Sequence, residues 1–269
     1  MPNHPENREI TGRTRVLGIL AHPTEHVKAP PAINRIAAER GKDAVMVPFD
    51  VAPEELAKVV EALRQIKSLD ASIVTVPHKQ SIVALCDELT PQARAVNAVN
   101  ILRFEPDGRL IGGQLDGIGF VEGLRSAGVD PAGMRVFLAG AGGAASAVAF
   151  ALADAGISHI TLSNRSRHKI ENLRDRLRKF RSDLSVSLGS GDAGGHDLVI
   201  NGTTLGMKPE DPLPLDVATL HAGMVVAEVI MEPEMTPLLR AAQAASCRIH
   251  HGRHMLQHQL QLMADFMGL

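Results

Sequence analysis

The segment Gly140-Ala141-Gly142-Gly143-Ala144-Ala145 limits what this chain can become more than any other stretch. It follows the apolar run Val136-Phe137-Leu138 directly and leads into residues 144–155, which are rich in alanine. Glycines at this density let a chain leave a strand, turn sharply and bring bare backbone close to a partner. A helix beginning there aims unbonded N–H groups at that partner, which should therefore be negatively charged. Such a turn suits the pyrophosphate of a dinucleotide in a doubly wound sheet. The spacing is GxGGxA, and a lone motif of this kind is weak; the competing reading is a tight strand–helix turn without a ligand. An apolar strand before it and a small-residue helix after it favour the nucleotide. Gly140, Gly142, Gly143 and Ala144 are the expected contacts.

The rest of the chain alternates between periods of two and 3.6 residues, which indicates an α/β fold. Strands are expected at residues 16–20, 44–49 and 72–76, the last stopping at Pro77. Helices are expected from Ala29, with Ile33, Ile36 and Ala37 on one side, and from Pro53, with Leu56, Val59, Val60, Leu63 and Ile66 in register. A further helix covers 81–85. Residues 97–104 and 109–113 read as a hairpin turning at Pro106-Asp107-Gly108. After Asp130-Pro131 a βαβ series begins, with strands at 134–139, 159–163, 184–188, 197–201, 224–230 and 248–250. Helices at 144–155, 167–180, 236–246 and 253–267 lie between and after them. The expected architecture is an open α/β substrate domain, residues 1–118 completed by the C-terminal helix 251–269, around a Rossmann-type doubly wound domain at 119–250. The site would lie at the carboxyl ends of the strands.

Composition removes several function classes. A formal charge of −2 offers no broad surface for nucleic acid or membrane. No apolar run reaches the roughly 18 residues that a membrane-spanning helix needs. MPNHPENREI has no apolar core of a signal peptide, and the polar first dozen residues are expected to be a loose tail. Cys86 and Cys247 have no metal-ligand spacing and suit a reducing cytoplasm. With no Tyr, no phenol is available as acid, base or donor. His250, His254 and His258 recur every four residues, but no acidic or cysteine partner lies nearby, and no metal is expected.

The end of the second Rossmann strand separates cofactors. An NAD enzyme usually carries Asp or Glu there for the ribose hydroxyls. This chain has Ser163-Asn164-Arg165-Ser166. A guanidinium can pair with a 2′-phosphate that a carboxylate would repel, so NADP is expected. Arg167, Lys169, Arg174 and Arg178 could be a solvated helix face, which is the better account for the later members.

Several motifs, in one order, resemble the shikimate dehydrogenase family. Thr75-Val76-Pro77-His78-Lys79 is similar to its catalytic-lysine segment, and Ala98-Val99-Asn100 to its substrate-binding asparagine. Gln114-Leu115-Asp116-Gly117 resembles its catalytic-aspartate segment, and Asn164-Arg165-Ser166 its nucleotide half. Asn201-Gly202-Thr203-Thr204-Leu205-Gly206-Met207 resembles its cofactor-side loop. Thr236-Pro237-Leu238-Leu239 and Gly252-Arg253-His254-Met255-Leu256, with Gln259, resemble its C-terminal region. The resemblance covers residues 14–267. It implies hydride transfer between NADP(H) and a small ring hydroxy acid, in a cytoplasmic monomer or homodimer of the shikimate pathway. In that family NADPH reduces 3-dehydroshikimate to shikimate. It further implies Lys79 and Asp116 as the catalytic couple and Thr75, Asn100, Gln259 and His26 on substrate. Asn164, Arg165, Ser166, Thr203, Met207 and Gly252 join the glycine turn on the cofactor. A quinate or polyol dehydrogenase using NAD, and a catalytically weak regulatory paralogue, are the alternatives.

The departures fall on the substrate side. Where the family usually reads His-Ser-x-Ser-Pro, this chain has His26-Val27-Lys28-Ala29-Pro30. Ile73 replaces an asparagine, Ile101 a threonine, Gln114-Leu115 a polar pair and Met231 a tyrosine. A carboxylate without its donors loses about 1.5–3 kcal/mol per charge-assisted bond. The expectation is intact redox chemistry on a modified ring acid or another polyol, or a carboxylate held by a substitute cation, with His78 and Arg253 as candidates.

Overall fold

The computed structural model describes residues 9–25 and 27–269, so the expected tail falls, over residues 1–8, outside the described residues. The chain forms two compact units, Met1–Leu115 with Leu260–Leu269, and Asp116–Gln259. The sequence set these junctions at 118 and 251.

The first unit contains β1 (Arg15–Ala21), α1 (Ala29–Glu39), β2 (Ala44–Asp50), α2 (Leu56–Leu63), β3 (Leu69–Val74), β4 (Glu88–Leu89), α3 (Pro91–Val96), β5 (Ile101–Phe104) and β6 (Leu110–Gly113). They form a sheet of order β2-β1-β3-β5-β6-β4. β1 runs parallel to β2 and β3, while β5 is antiparallel to β3 and β6. Alternation along the strands feeds two cores. Leu17 and Ile19 of β1 join Ala71 and Ile73 of β3 in one, whereas Leu20 and Val74 enter the other. Residues 260–269 complete the first core with Met263, Ala264 and Met267. Arg40 secures them by bonding Asp265 at 2.7 Å, Gln261 at 2.9 Å and the Leu269 carbonyl at 3.0 Å.

Three expectations change here. α2 ends at Leu63, and Ile66 is exposed beyond it. β3 stops at Val74, which leaves Thr75 and Val76 in a turn. The segment before the hairpin is α3, begun by Thr90, whose hydroxyl accepts from Ala93 N at 3.2 Å, with Pro91 in the first turn. Asn97 ends it in the left-handed conformation, φ 52°, so the strand starts at Ile101.

The second unit contains α4 (Asp116–Ser126), β7 (Arg135–Ala139), α5 (Gly143–Asp154), β8 (His159–Ser163), α6 (Arg167–Phe180), β9 (Ser185–Leu188), β10 (Leu198–Asn201), β11 (Val225–Glu228), α7 (Pro237–Ala244), β12 (Arg248–His250) and the opening turns of α8 (Arg253–Phe266). Its six strands are all parallel, in the order β12-β11-β10-β7-β8-β9. This is the doubly wound nucleotide-binding arrangement. The sequence did not reveal α4, because its glycines blur the apolar period. Those glycines are packing devices. A Cβ on Gly117 would overlap the Ala147 carbonyl of α5, and one on Gly119 would lie 2.9 Å from the Met255 carbonyl of α8. α4 is thus pressed between α5 and α8 at backbone distance. α5 is alanine-rich because it is buried nearly all round, from Ala145 to Ala153.

His250 is buried beside α4, edge-on to Phe120 at 6.1 Å and stacked on His254 at 4.8 Å. Its Nε2 finds no hydrogen-bond partner among the described residues. Burial, then the positive neighbours His254, His251, Arg248 and His258, push its pKa down to about 4. Burial also lowers His159 and His254.

Two outcomes are expected. Gly117→Ala should destabilise the chain by about 1–3 kcal/mol, because the overlap is with backbone and cannot be relieved by a side-chain rotation. Thermal unfolding checks this. As pH falls below about 6.5 the unfolded chain protonates His250 while the folded chain resists, so stability declines down to about pH 4 and then levels. The span corresponds to about 3 kcal/mol. His250→Leu should therefore show a shallower fall in Tm from pH 7 to pH 4.5 than wild type; equal slopes would exclude His250 as the responsible group.

Candidate active site

In the first unit the site builds from the turn after β3. Thr75 N donates to Leu20 O at 3.0 Å, and His78 N to Thr75 O at 2.9 Å. His78 is buried, and its Nε2 lies 2.9 Å from Val51 O, so its ring is committed to the core. That removes it as a substitute cation for substrate. The Lys79 carbonyl accepts from Val99 N at 2.8 Å, which pins the turn beside the segment ending in Asn100. Asn100 is fully buried, accepts Leu115 N at 2.9 Å on Oδ1, and bonds Val74 and Gly113 through its main chain. These bonds tie together the segments that carry Thr75, Lys79 and Asn100. His26 lies outside the described residues.

The apolar departures converge on one place. Ile73 and Ile101 are buried in the first core, and Val27, Ala29 and Leu115 pack against the same cluster. Five of the departures thus lie in or against one apolar core, while Met231 is exposed elsewhere.

In the second unit Asp116 opens α4 and is buried. Gln259 donates its amide Nε2 to Asp116 Oδ1. The sequence assigned Gln259 to substrate; in the structure its amide bonds the Asp116 carboxylate. Arg253, the other candidate cation, is exposed and paired with Glu234.

The glycine turn leaves β7 with Gly140 at φ 115°, its N–H bonded to Ser163 O at 2.7 Å. Gly142 caps α5 without any side-chain bond. A Cβ on Gly142 or Gly143 would meet nothing within 4 Å, so the first turn of the helix faces open space. A bare helix N-terminus with room in front of it fits a pyrophosphate. Asn164, Arg165 and Ser166 follow β8, with Arg165 exposed and Asn164 Nδ2 donating to Ser166 O at 3.2 Å. Further along, Arg167 pairs with Glu171 and Arg174 with Asp175, as a solvated helix face would.

The loop after β10 carries Thr203, partly buried, and Met207, 55% exposed. Gly202 packs so tightly that a Cβ there would lie 2.7 Å from Ala145 Cβ. Gly252 has a packing reason to be glycine, since a Cβ would overlap the Ile230 carbonyl. The sequence missed Glu228, a carboxylate closing the apolar strand β11 and fully buried. The signal available was one acidic residue at the end of an otherwise apolar run. Among the described residues, no group of three or more His, Cys, Asp or Glu could hold a metal ion. No helix among them is long and apolar enough to cross a membrane.

The family model of the shikimate dehydrogenase substrate binding domain matches residues 19–102. A protein of Rubrobacter xylanophilus named shikimate dehydrogenase (NADP(+)) is 40% identical over 254 residues, covering 93% of this chain and 89% of its own. The crystal structure of shikimate 5-dehydrogenase from Listeria monocytogenes, in complex with shikimate and NAD, aligns with a TM-score of 0.91 at 29% identity, over 97% of this chain and 94% of that one. The ligand-free 5-ketofructose reductase of a Gluconobacter strain aligns with a TM-score of 0.88 at 30% identity, over 95% and 93%. Identity at this level across nearly the whole of both chains means that the protein belongs to the shikimate dehydrogenase family.

Proposed function

We propose that the chain is an NADP-dependent dehydrogenase that reversibly reduces 3-dehydroshikimate, or a closely related ring ketone, to the alcohol. The observation that carries this reading is the near full-length relationship to a protein named shikimate dehydrogenase (NADP(+)). In this assignment the first unit takes substrate and the second takes cofactor. The Listeria structure holds NAD, so the choice between cofactors rests on local residues. Residues 163–167 contain no Asp or Glu and present Arg165 to solvent, which supports NADP. Both cysteines are free thiols, in keeping with a cytoplasmic setting.

Reduction of a ketone needs hydride at carbon and a proton at oxygen. The bound cofactor supplies the hydride. The ammonium of Lys79 is assigned the proton, given to the oxygen as negative charge develops there. Its main chain is held by the Val99 bond and by the buried His78 next to it, so its stem starts from a fixed point. Asp116 is assigned as its carboxylate partner, and Gln259 holds that carboxylate. Thr75, Asn100 and His26 are assigned to substrate hydroxyls. Gly140, Gly142, Gly143 and Ala144 receive the pyrophosphate, Asn164, Arg165 and Ser166 the 2′-phosphate end, and Thr203, Met207 and Gly252 the rest of the cofactor.

A second reading within the same chemistry has a specific observation behind it. Val27, Ala29, Ile73, Ile101 and Leu115 join one apolar cluster, which offers no donor to a carboxylate. The similarity to a 5-ketofructose reductase, named for a ketone that carries no carboxylate, points the same way. On this reading a neutral polyol ketone replaces the ring acid.

Oxidation of shikimate, quinate and neutral polyols, each offered with NADP and NAD at 340 nm, tests both readings. Shikimate turnover with NADP supports the first; turnover of neutral polyols alone supports the second. Lys79→Ala should cut kcat by about 10²–10⁴ while NADPH still binds. Arg165→Ala should weaken NADPH by about 10–100-fold and NADH little, the worth of a charge-assisted pair. Equal loss for both cofactors would refute that role.

A further inference from the structure

We propose that Glu228 is a positioning residue for the cofactor, acting through Asn201 to hold the loop 201–207 in its binding conformation. This rests on the assignment of Thr203 and Met207 to the cofactor.

Glu228 is fully buried, yet each partner found for its carboxylate is uncharged. Asn201 Nδ2 lies 3.1 Å from both of its oxygens, and Thr236 Oγ1 donates at 2.7 Å. Burial drives its pKa upward, against these donors. If β11 needed only packing at this point, an apolar residue would serve at lower cost. The carboxylate provides something an apolar group cannot, a direction. When ionised it can only accept hydrogen bonds, so Asn201 turns its amide nitrogen toward it.

Everything downstream follows from that orientation. The same Nδ2 donates to Leu205 O at 2.9 Å. Oδ1 is left facing Thr203 and accepts its N–H at 3.0 Å and its hydroxyl at 2.7 Å. With its proton committed to Asn201, Thr203 Oγ1 accepts Leu205 N–H at 3.0 Å. The relay runs from Glu228 to Asn201 to Thr203 to Leu205, and each donor and acceptor in it is set by the one group that cannot donate. The loop so fixed starts against the glycine turn, since a Cβ on Gly140 would lie 2.8 Å from Gly202 C. It ends at Gly206, beside the same Thr236 that bonds Glu228.

Glu228→Gln tests this. A glutamine can point its own amide nitrogen at Asn201, which sets donor against donor and frees the relay. In the cofactor-free protein, hydrogen exchange at Thr203 and Leu205 should quicken by about tenfold, and NADPH dissociation measured by fluorescence should weaken by a similar factor, roughly the worth of one hydrogen bond. kcat, and the KM for the alcohol substrate at saturating cofactor, should change less than about twofold, because the change is confined to cofactor binding. Asn201→Asp alone should also weaken NADPH, by setting two carboxylates face to face. Combined with Glu228→Gln it restores a donor opposite an acceptor and should recover part of the affinity. If Glu228→Gln does not fold, Thr236→Val removes one donor from the same carboxylate at nearly constant shape and carries the test with a smaller expected effect.

Unchanged loop exchange in Glu228→Gln overturns the relay. Exchange that quickens throughout residues 116–259, with a matching loss of Tm, overturns it too, because Glu228 would then be scaffold alone. Faster loop exchange with unchanged NADPH affinity overturns the positioning role. Gly142→Ala separates this from failure of the cofactor assignment. It adds a methyl into open space and should weaken NADPH at constant Tm, whatever Glu228 does.

Discussion

At the carboxyl edge of the second sheet the main chain at Gly140 lies against that of Gly202, and Gly202 lies against Ala145. Three segments meet there without side chains between them: the end of β7, the first turn of α5 and the loop after β10. A side chain at Gly140 or Gly202 would clash there, so the contact fixes how α5 starts and where its N–H groups aim. It also brings the loop that begins at Gly202 to that helix start. The same principle recurs one layer out, where Gly117 and Gly119 let α4 approach α5 and α8. The second unit is therefore ordered around backbone contact, and its interior is correspondingly rich in alanine.

Much of this was legible because strand–glycine–helix patterns have short-range causes. The βαβ series and its doubly wound class followed from periodicity and from one motif. α3 was overlooked although Thr90 and Pro91 announce it, because a six-residue helix gives too few turns for an apolar period to register. α4 was hidden for the opposite reason: its glycines serve distant partners, and nothing local distinguishes a packing glycine from a helix breaker. Ile66 kept the helical spacing of α2 after the helix had ended, which shows that a periodic apolar residue can be a coincidence.

On the site, side-chain chemistry was readable and its wiring was not. Lys79, Asp116 and Asn100 stand out in motifs, but that His78 is spent on Val51 and that Gln259 bonds Asp116 depends on the fold, not on any local pattern. Glu228 is separated from Asn201 by 27 positions, and a buried carboxylate stabilised without a cation has no sequence signature. Val27, Ala29, Ile73, Ile101 and Leu115 are separate departures in the sequence; the structure puts Ile73 and Ile101 inside one core and packs the other three against it.

The order in which a ribosome delivers these residues gives residues 260–269 an unexpected weight. The first sheet is complete by Gly113, yet Met263, Ala264 and Met267 belong to its core, and Arg40 waits for Asp265 and the Leu269 carbonyl. Nearly 150 residues separate the sheet from those partners, and the second unit lies wholly within that interval. The unit made first is therefore completed only after the second, once residues 260–269 have been made, while the unit made second can close as soon as it emerges. A chain cut after Gln259 would keep every residue of the second unit and leave the first without Met263, Ala264 and Met267 of its core.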